Sequence, residues 1–327
     1  MELRNKYSLG FFPTPLHPME NLSKVLPDYN LFIKRDDQSG LASGGNKVRK
    51  LEYLIQQAID EGCNIVITAG AQQSNHCRQT AAACVKAGLE CHLLLGGTEP
   101  EVLNGNLLMS SLLGAKIHYC GDRRHGEDMP ALKDQLEKEG NKCMSMPCGG
   151  STVTGTMGFV NAVKELKLQL EEQDLQLDYI FHASSSGATQ AGLVLGKELY
   201  GLDAQLIPIN IDKDSTNGLP LDHFVLDLVK QGQELLGLVK EFTLEDVAVI
   251  KDYDKSGYGV MSYQEKEAIE ILAKHEGIFL DPVYTGRAFA GMLDYLRNNK
   301  IEKGTNVMFW HTGGFPALFE YGSGLKQ

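Results

Sequence analysis

The chain predicts an α/β fold built on parallel-type sheets. Three observations lead there. Short apolar runs such as Ile65-Val66-Ile67 and Val307-Met308-Phe309-Trp310 alternate with stretches whose apolar residues recur at helical spacing. These are the patterns of buried strands and amphipathic helices. Loops rich in glycine, serine and threonine follow the strand-like runs, at the edge where open α/β sheets bind ligands. The length, 327 residues, corresponds to about two domains of ~150 residues or one large α/β unit.

In chain order, Pro13, Pro15 and Pro18 make residues 10–20 extended. Residues 31–34 read as a strand. Ser43-Gly44-Gly45-Asn46 reads as a sharp turn, and Val48, Leu51, Leu54, Ile55 and Ala58 predict a helix that begins at Lys47 and stops near Gly62. Residues 64–70 read as a buried strand, the stretch from Arg78 as a helix stopped by Gly88, and residues 90–95 as the next strand. This is a βαβ unit, which makes parallel sheets through right-handed crossovers. Helices over 106–113, 130–139 and near 158–168 alternate with strands over 116–120 and 142–146. The charged stretch 164–178 reads as a helix end and connector. Strands are expected over 178–183, 205–211 and 307–311, with strand plus turn over 278–286. Helices are expected up to Tyr200, within 215–240, and over 260–276 and 287–297.

Composition is globular, with 43% hydrophobic and 22% charged residues and a formal net charge of −11. An acidic chain disfavours nucleic acid and anionic membrane as partners; a small anion held by local groups is compatible with it. The seven cysteines are odd in number, lack a CxxC pair and sit partly in apolar runs, which reads as reduced core residues and no metal set. No apolar signal region follows Met1, and no apolar run reaches the ~18 residues of a membrane span. A cytoplasmic protein is expected.

Lys47 is the first group that suggests chemistry. A cation at a helix N-terminus is electrostatically disfavoured, and a lowered amine pKa is what a Schiff-base lysine needs. Taken alone, a solvated first-turn lysine is the commoner case. Ser184-Ser185-Ser186-Gly187-Ala188-Thr189 lies between a strand and a helix, where hydroxyls and backbone N–H groups suit a phosphate; an ordinary capping loop is equally consistent. Ser74-Asn75-His76 occupies the same position after an earlier strand, and its serine and asparagine are also good caps. Tyr284 and Thr312 stand at further strand ends. Asp36 and Asp37 point to opposite faces of a strand, and an ion pair with Arg35 is the simpler role. One amine, a phosphate-type loop and hydroxyl and amide groups, without a metal set, are what a lysine imine with a phosphorylated aldehyde would use.

Several motifs occur together and in order: Lys34-Arg35-Asp36-Asp37, Gly44-Gly45-Asn46-Lys47-Val48-Arg49-Lys50-Leu51-Glu52, Gln73-Ser74-Asn75-His76 with Arg78-Gln79-Thr80, Asp281-Pro282-Val283-Tyr284-Thr285-Gly286 and His311-Thr312-Gly313-Gly314. The set resembles the D-cysteine desulfhydrase / 1-aminocyclopropane-1-carboxylate deaminase family. That resemblance implies the tryptophan-synthase-β-like fold (fold type II) and pyridoxal 5'-phosphate as cofactor. It makes Lys47 the Schiff-base lysine and places Asn75 on the cofactor's ring oxygen. Gln73, Ser74, Asn75 and His76 then line the substrate carboxylate site. Ser185, Ser186, Gly187, Ala188 and Thr189 match the phosphate loop, with Ser185 and Ala188 standing where the family has glycines. Tyr258 and Tyr284 match two active-site tyrosines, and Thr285 and Thr312 stand where the deaminase branch carries Glu and Leu.

A threonine hydroxyl does not keep a pyridine nitrogen protonated as a carboxylate would, which favours β-elimination over opening of a cyclopropane ring. The expected reaction is α,β-elimination on a small amino acid, D-cysteine first, giving pyruvate, ammonia and sulfide, with Lys47, Ser74 or a tyrosine taking the α-proton. L-cysteate sulfo-lyase is the alternative, because small Ser43 before the turn leaves room for a sulfonate. Cyclopropane-acid deamination and a non-catalytic ligand-binding protein are further alternatives. The resemblance also implies a homodimer of two-lobed chains, with a small inserted lobe over 48–160 and a large lobe from 1–47 and 161–327.

Overall fold

The computed structural model describes residues 5–325 apart from 213, 214 and 217. Two parallel sheets organise them. The first half of the chain gives β1 (Leu16–Pro18), α1 (Glu20–Val25), β2 (Asn30–Arg35), α2 (Lys47–Asp60), β3 (Ile65–Gly70), α3 (Asn75–Ala87), β4 (Glu90–Leu95), α4 (Gly105–Leu112), β5 (Lys116–Tyr119), α5 (Met129–Lys138) and β6 (Cys143–Met146). The second half gives α6 (Val153–Glu172), β7 (Tyr179–Ser184), α7 (Ala188–Tyr200), β8 (Gln205–Asn210), a short β9 (Ser215–Thr216) and β10 (Leu219–Pro220) pair, α8 (Leu221–Leu236), α9 (Tyr263–Glu276), α10 (Thr285–Arg297) and β11 (Asn306–His311).

The smaller sheet has the order β5-β4-β3-β6, and every neighbouring pair is parallel. The larger has the order β1-β2-β11-β7-β8, in which only the edge strand β1 is antiparallel. Both faces of each sheet are covered, as parallel sheets require. On one face of the large sheet Ile207, Ile209 and Phe309 meet Phe289 and Leu293 of α10. On the other, Ile180, Met308 and Trp310 meet Phe159, Val163 and Leu166 of α6. In the small sheet Val66 and Leu93 meet Val48, Leu51 and Ile55 of α2 and Ala81 and Cys84 of α3. α6 also lies against α2, and a Cβ at Gly158 would stand 2.3 Å from the Arg49 carbonyl oxygen. Only glycine admits that approach.

Helical and strand periodicity locates nearly all of these elements, because each buries one face. One expectation is overturned. Residues 278–283 form no strand. There the Asp281 carboxylate accepts the backbone N–H groups of Val283 at 3.0 Å, Tyr284 at 2.9 Å and Thr285 at 2.8 Å, so local turn chemistry prevails over an apolar run and α10 starts at Thr285. The extended stretch 10–20 contains β1 but gives way to α1 at Glu20. All seven cysteines are free thiols, six of them buried. Among the described residues no helix is long and apolar enough to cross a membrane.

Candidate active site

The turn before α2 is left-handed throughout: Ala42, Ser43, Gly44 and Gly45 have φ of 44°, 68°, 67° and 129°. At Gly44 a Cβ would fall 2.0 Å from the Asp37 carbonyl oxygen, so glycine is obligatory there. The Ser39 hydroxyl closes the turn by donating to Gly45 O and accepting its N–H. Asn46 then joins distant segments. Its backbone N–H donates to Thr312 O at 2.9 Å, and its side-chain amide donates to Thr189 Oγ1 at 3.1 Å. Lys47, the first residue of α2, lines a cleft of about 880 Å³, solvent-open space included. One turn on, Lys50 is fully buried and donates to Gly149 O at 3.2 Å. Burial, reinforced by the neighbouring Lys47 charge, holds its amine well below the usual lysine range.

The N-terminus of α3 forms a second wall. Ser74 caps the helix by accepting the Cys77 N–H at 3.2 Å. Asn75 accepts through Oδ1 from both Arg78 and Asn106, each at 3.1 Å, which leaves its amide N–H groups to donate into the cleft. His76 is buried; its ring nitrogens meet the Thr68 hydroxyl at 2.9 Å and the Thr80 hydroxyl at 3.5 Å. Burial, with Lys47 and Lys50 nearby, pushes its pKa well down, so the ring is neutral and satisfied. Gln73 turns away: its Oε1 accepts the Asn106 N–H at 2.8 Å and its Nε2 donates to Asn104 O at 3.2 Å.

The start of α7 is the third wall. Gly187 at φ 92° opens the helix, whose first N–H groups have no helical acceptor. The Ser151 hydroxyl donates to that of Ser186 at 2.9 Å, and Ser185 donates to Asp212 at 2.7 Å. A Cβ at Gly149 would lie 2.2 Å from Ser186 Oγ and 3.5 Å from Lys47 Nζ, so this glycine keeps the space between lysine and serine loop open.

Tyr258 and Tyr284 close the cleft with hydroxyls 3.1 Å apart. Burial pushes both phenols above their ordinary value, so both keep their protons at neutral pH. Arg124 stacks on the Tyr258 ring with its guanidinium carbon 4.2 Å from the centroid.

Thus Lys47, Ser74, Asn75 and His76 come together with Ser185, Ser186, Gly187 and Thr189, and with Tyr258, Tyr284 and Thr312. Four residues singled out in the sequence do not line the cleft. Ser43 lies within the left-handed turn, three residues before Asn46. Gln73 is drawn onto α4. Ala188 is buried within α7. Thr285 is fully buried, and its hydroxyl donates to Asp281 at 2.7 Å. Asp36 and Asp37 divide as separate ion pairs, with Arg49 and Arg35, each at 2.7 Å. Sequence reasoning passed over Asn46, Gly149, Arg124 and Asp212. Asn46 stands inside a quoted motif, where it reads only as a turn residue; Gly149, Arg124 and Asp212 lie outside every quoted motif.

Comparison with known proteins agrees with this arrangement. Residues 7–313 match the family described as pyridoxal-phosphate dependent enzyme. The D-cysteine desulfhydrase of Salmonella paratyphi A is 38% identical over 315 residues, covering 94% of each chain. The crystal structure of an ACC deaminase homologue superimposes with a TM-score of 0.89 at 35% identity, over 98% of this chain and 95% of that one. The processed form of threonine deaminase isoform 2 from Solanum lycopersicum shares the fold, with a TM-score of 0.62 at 18% identity over 92% of this chain and 79% of that one. The chain belongs to the pyridoxal-phosphate dependent enzymes and has their fold type II architecture.

Proposed function

We propose that this enzyme catalyses α,β-elimination on D-cysteine, giving pyruvate, ammonia and sulfide. The observation that carries the reading is the near full-length similarity to D-cysteine desulfhydrases, on a cleft whose groups suit a phosphorylated pyridine aldehyde. The donor set fits that cofactor. A lysine amine, an asparagine amide with its carbonyl already engaged, and a hydroxyl-rich helix start face one space that Gly149 keeps open. Lys47 would hold the aldehyde carbon, Asn75 the ring oxygen, Ser185, Ser186, Gly187 and Thr189 the phosphate, and Thr312 the ring nitrogen edge. The bound cofactor supplies the electron sink that makes an α-proton removable.

The chain's own groups supply the rest. The Lys47 amine moves the α-proton, with Ser74 as the other nearby candidate. Ser74 and Asn75 bind the substrate carboxylate at the N-terminus of α3, where a helix favours anions. The paired hydroxyls of Tyr258 and Tyr284 hold a proton for the departing sulfur. Among the described cleft-lining residues Asp212 is the one carboxylate, and it accepts from Ser185. The wall at Thr312 therefore presents a hydroxyl and no acid, which supports elimination over ring opening.

One observation favours a second substrate, L-cysteate with sulfite as leaving group. Arg124 brings a guanidinium into the cleft, and it forms no ion pair among the described residues. Assaying purified protein for sulfide and sulfite from D-cysteine, L-cysteate and 1-aminocyclopropane-1-carboxylate decides among the substrates, and turnover of none of them would overturn the lyase reading. We also propose the division into a 48–160 lobe and a lobe of 1–47 with 161–327, α6 running along their seam. A homodimer, testable by sedimentation equilibrium, and a cytoplasmic location complete the proposal.

A further inference from the structure

Among the described residues three arginines are almost wholly buried, and one of them differs from the others. Arg49 pairs with Asp36 at 2.7 Å, and Arg287 pairs with Glu265 at 2.7 Å. Arg78, on α3 and 0% exposed, pairs with no carboxylate among the described residues. Its acceptors are all neutral: Nη1 donates to Asn106 Oδ1 at 2.5 Å and to Asn75 Oδ1 at 3.1 Å, and Nη2 donates to Gly44 O at 2.7 Å. Its Nε is buried without any acceptor. The acid whose charge acts on it, Asp281, is itself bonded to the N–H groups of Val283, Tyr284 and Thr285.

A buried cation without a counter-ion is costly, and neutral residues of similar volume would stabilise the fold better. Its location gives it a use. Arg78 lies one turn behind Asn75 and grips the carbonyl end of the side chain whose amide end faces the cleft. A charge-assisted bond at Oδ1 polarises the amide and strengthens its N–H groups as donors. The Gly44 contact ties the same guanidinium to the turn that presents Lys47.

We propose that Arg78 is a positioning residue whose buried charge acts through Asn75, strengthening the hydrogen bond that Asn75 donates to the anionic ring oxygen of bound pyridoxal phosphate. The counter-ion missing from the polypeptide arrives with the ligand. This rests on the cofactor assignment made above, and its test reads binding rather than turnover.

Apoprotein is titrated with pyridoxal phosphate and the visible absorbance followed. Arg78→Gln should raise the dissociation constant roughly tenfold or more, as expected for losing a bond to a charged group, and Arg78→Lys, which keeps the charge, should recover part of that loss. In an Asn75→Ala background the two Arg78 substitutions should no longer differ, because the relay is already broken. Equal losses for Lys and Gln, or a Lys/Gln difference that persists without Asn75, would overturn the proposal. If Arg78→Gln does not fold, Asn106→Asp serves instead, since it places a carboxylate on the Arg78 Nη1 atom and quenches its charge. A folded Asn106→Asp protein with unchanged cofactor affinity would also overturn the proposal. Wild-type protein that takes up no pyridoxal phosphate would overturn the cofactor assignment itself.

Discussion

The side-chain amide of Asn46 donates to the Thr189 hydroxyl over 3.1 Å, so the residue before Lys47 is bonded directly to the helix start that suits a phosphate. The two segments are 143 residues apart in the chain, and this contact joins them. Asn46→Ala leaves the buried Thr189 hydroxyl short of a partner. Cofactor affinity should fall about tenfold, read by absorbance titration, with the fold intact by circular dichroism. Unchanged affinity would remove this contact from the site's construction.

Lys47→Ala should lower turnover by on the order of 10³-fold, the scale of a lost proton-transfer group. Borohydride treatment should fix cofactor to wild-type protein and not to the variant. A variant that retains both activity and borohydride-fixed cofactor would show that Lys47 is only structural.

Tyr284→Phe and Tyr258→Phe each remove one member of a hydroxyl pair held 3.1 Å apart. Each should reduce kcat by about 10²-fold with a smaller change in KM, and the double variant should be little worse than either single one, because the pair acts as a unit. Because burial pushes both phenols up, their ionisation should add no limb to the pH–rate profile near neutrality.

Acid stability should turn on Glu165 and His182. Burial opposes ionisation of Glu165, but Arg49 and Lys34 outweigh it and hold the carboxyl down to about 2. Its contribution is therefore present above the unfolded value of ~4.3 and lost as pH falls toward 2. Burial lowers His182 to about 4. The native state thus favours its neutral form, and stability falls as pH drops from ~6.5 through 4. Urea unfolding should show stability declining from about pH 6.5 as His182 takes up its proton, with Glu165 carrying the decline below about pH 4.5. Glu165→Gln should cost ~3 kcal/mol at neutral pH and flatten the lower limb; an unchanged lower limb would assign acid unfolding to other groups.

The fold was largely legible before any coordinates. Ile65 to Gly70 and Glu90 to Leu95 have the continuous apolar character of strands buried on both faces, and Gly88 stops α3 in left-handed backbone, φ 70°, as its position indicates. The misreading at 278–283 has a local cause: a single aspartate side chain captures three N–H groups in succession, which apolar patterning does not register.

By itself the sequence determined the order of elements, the two parallel sheets, the family and the lysine at the head of α2, because periodicity, turn residues and collinear motifs are local properties. Only the tertiary structure decided which motif residues face the cleft. Gln73 and Thr285 stand within motifs yet turn into the protein, drawn by hydrogen bonds from Asn106 and to Asp281. Arg124 and Asp212 stand outside every motif yet reach the cleft. The direction of a side chain is set by partners distant in sequence, and a buried charge such as that of Arg78 is recognised as unpaired only when its neighbours are assembled.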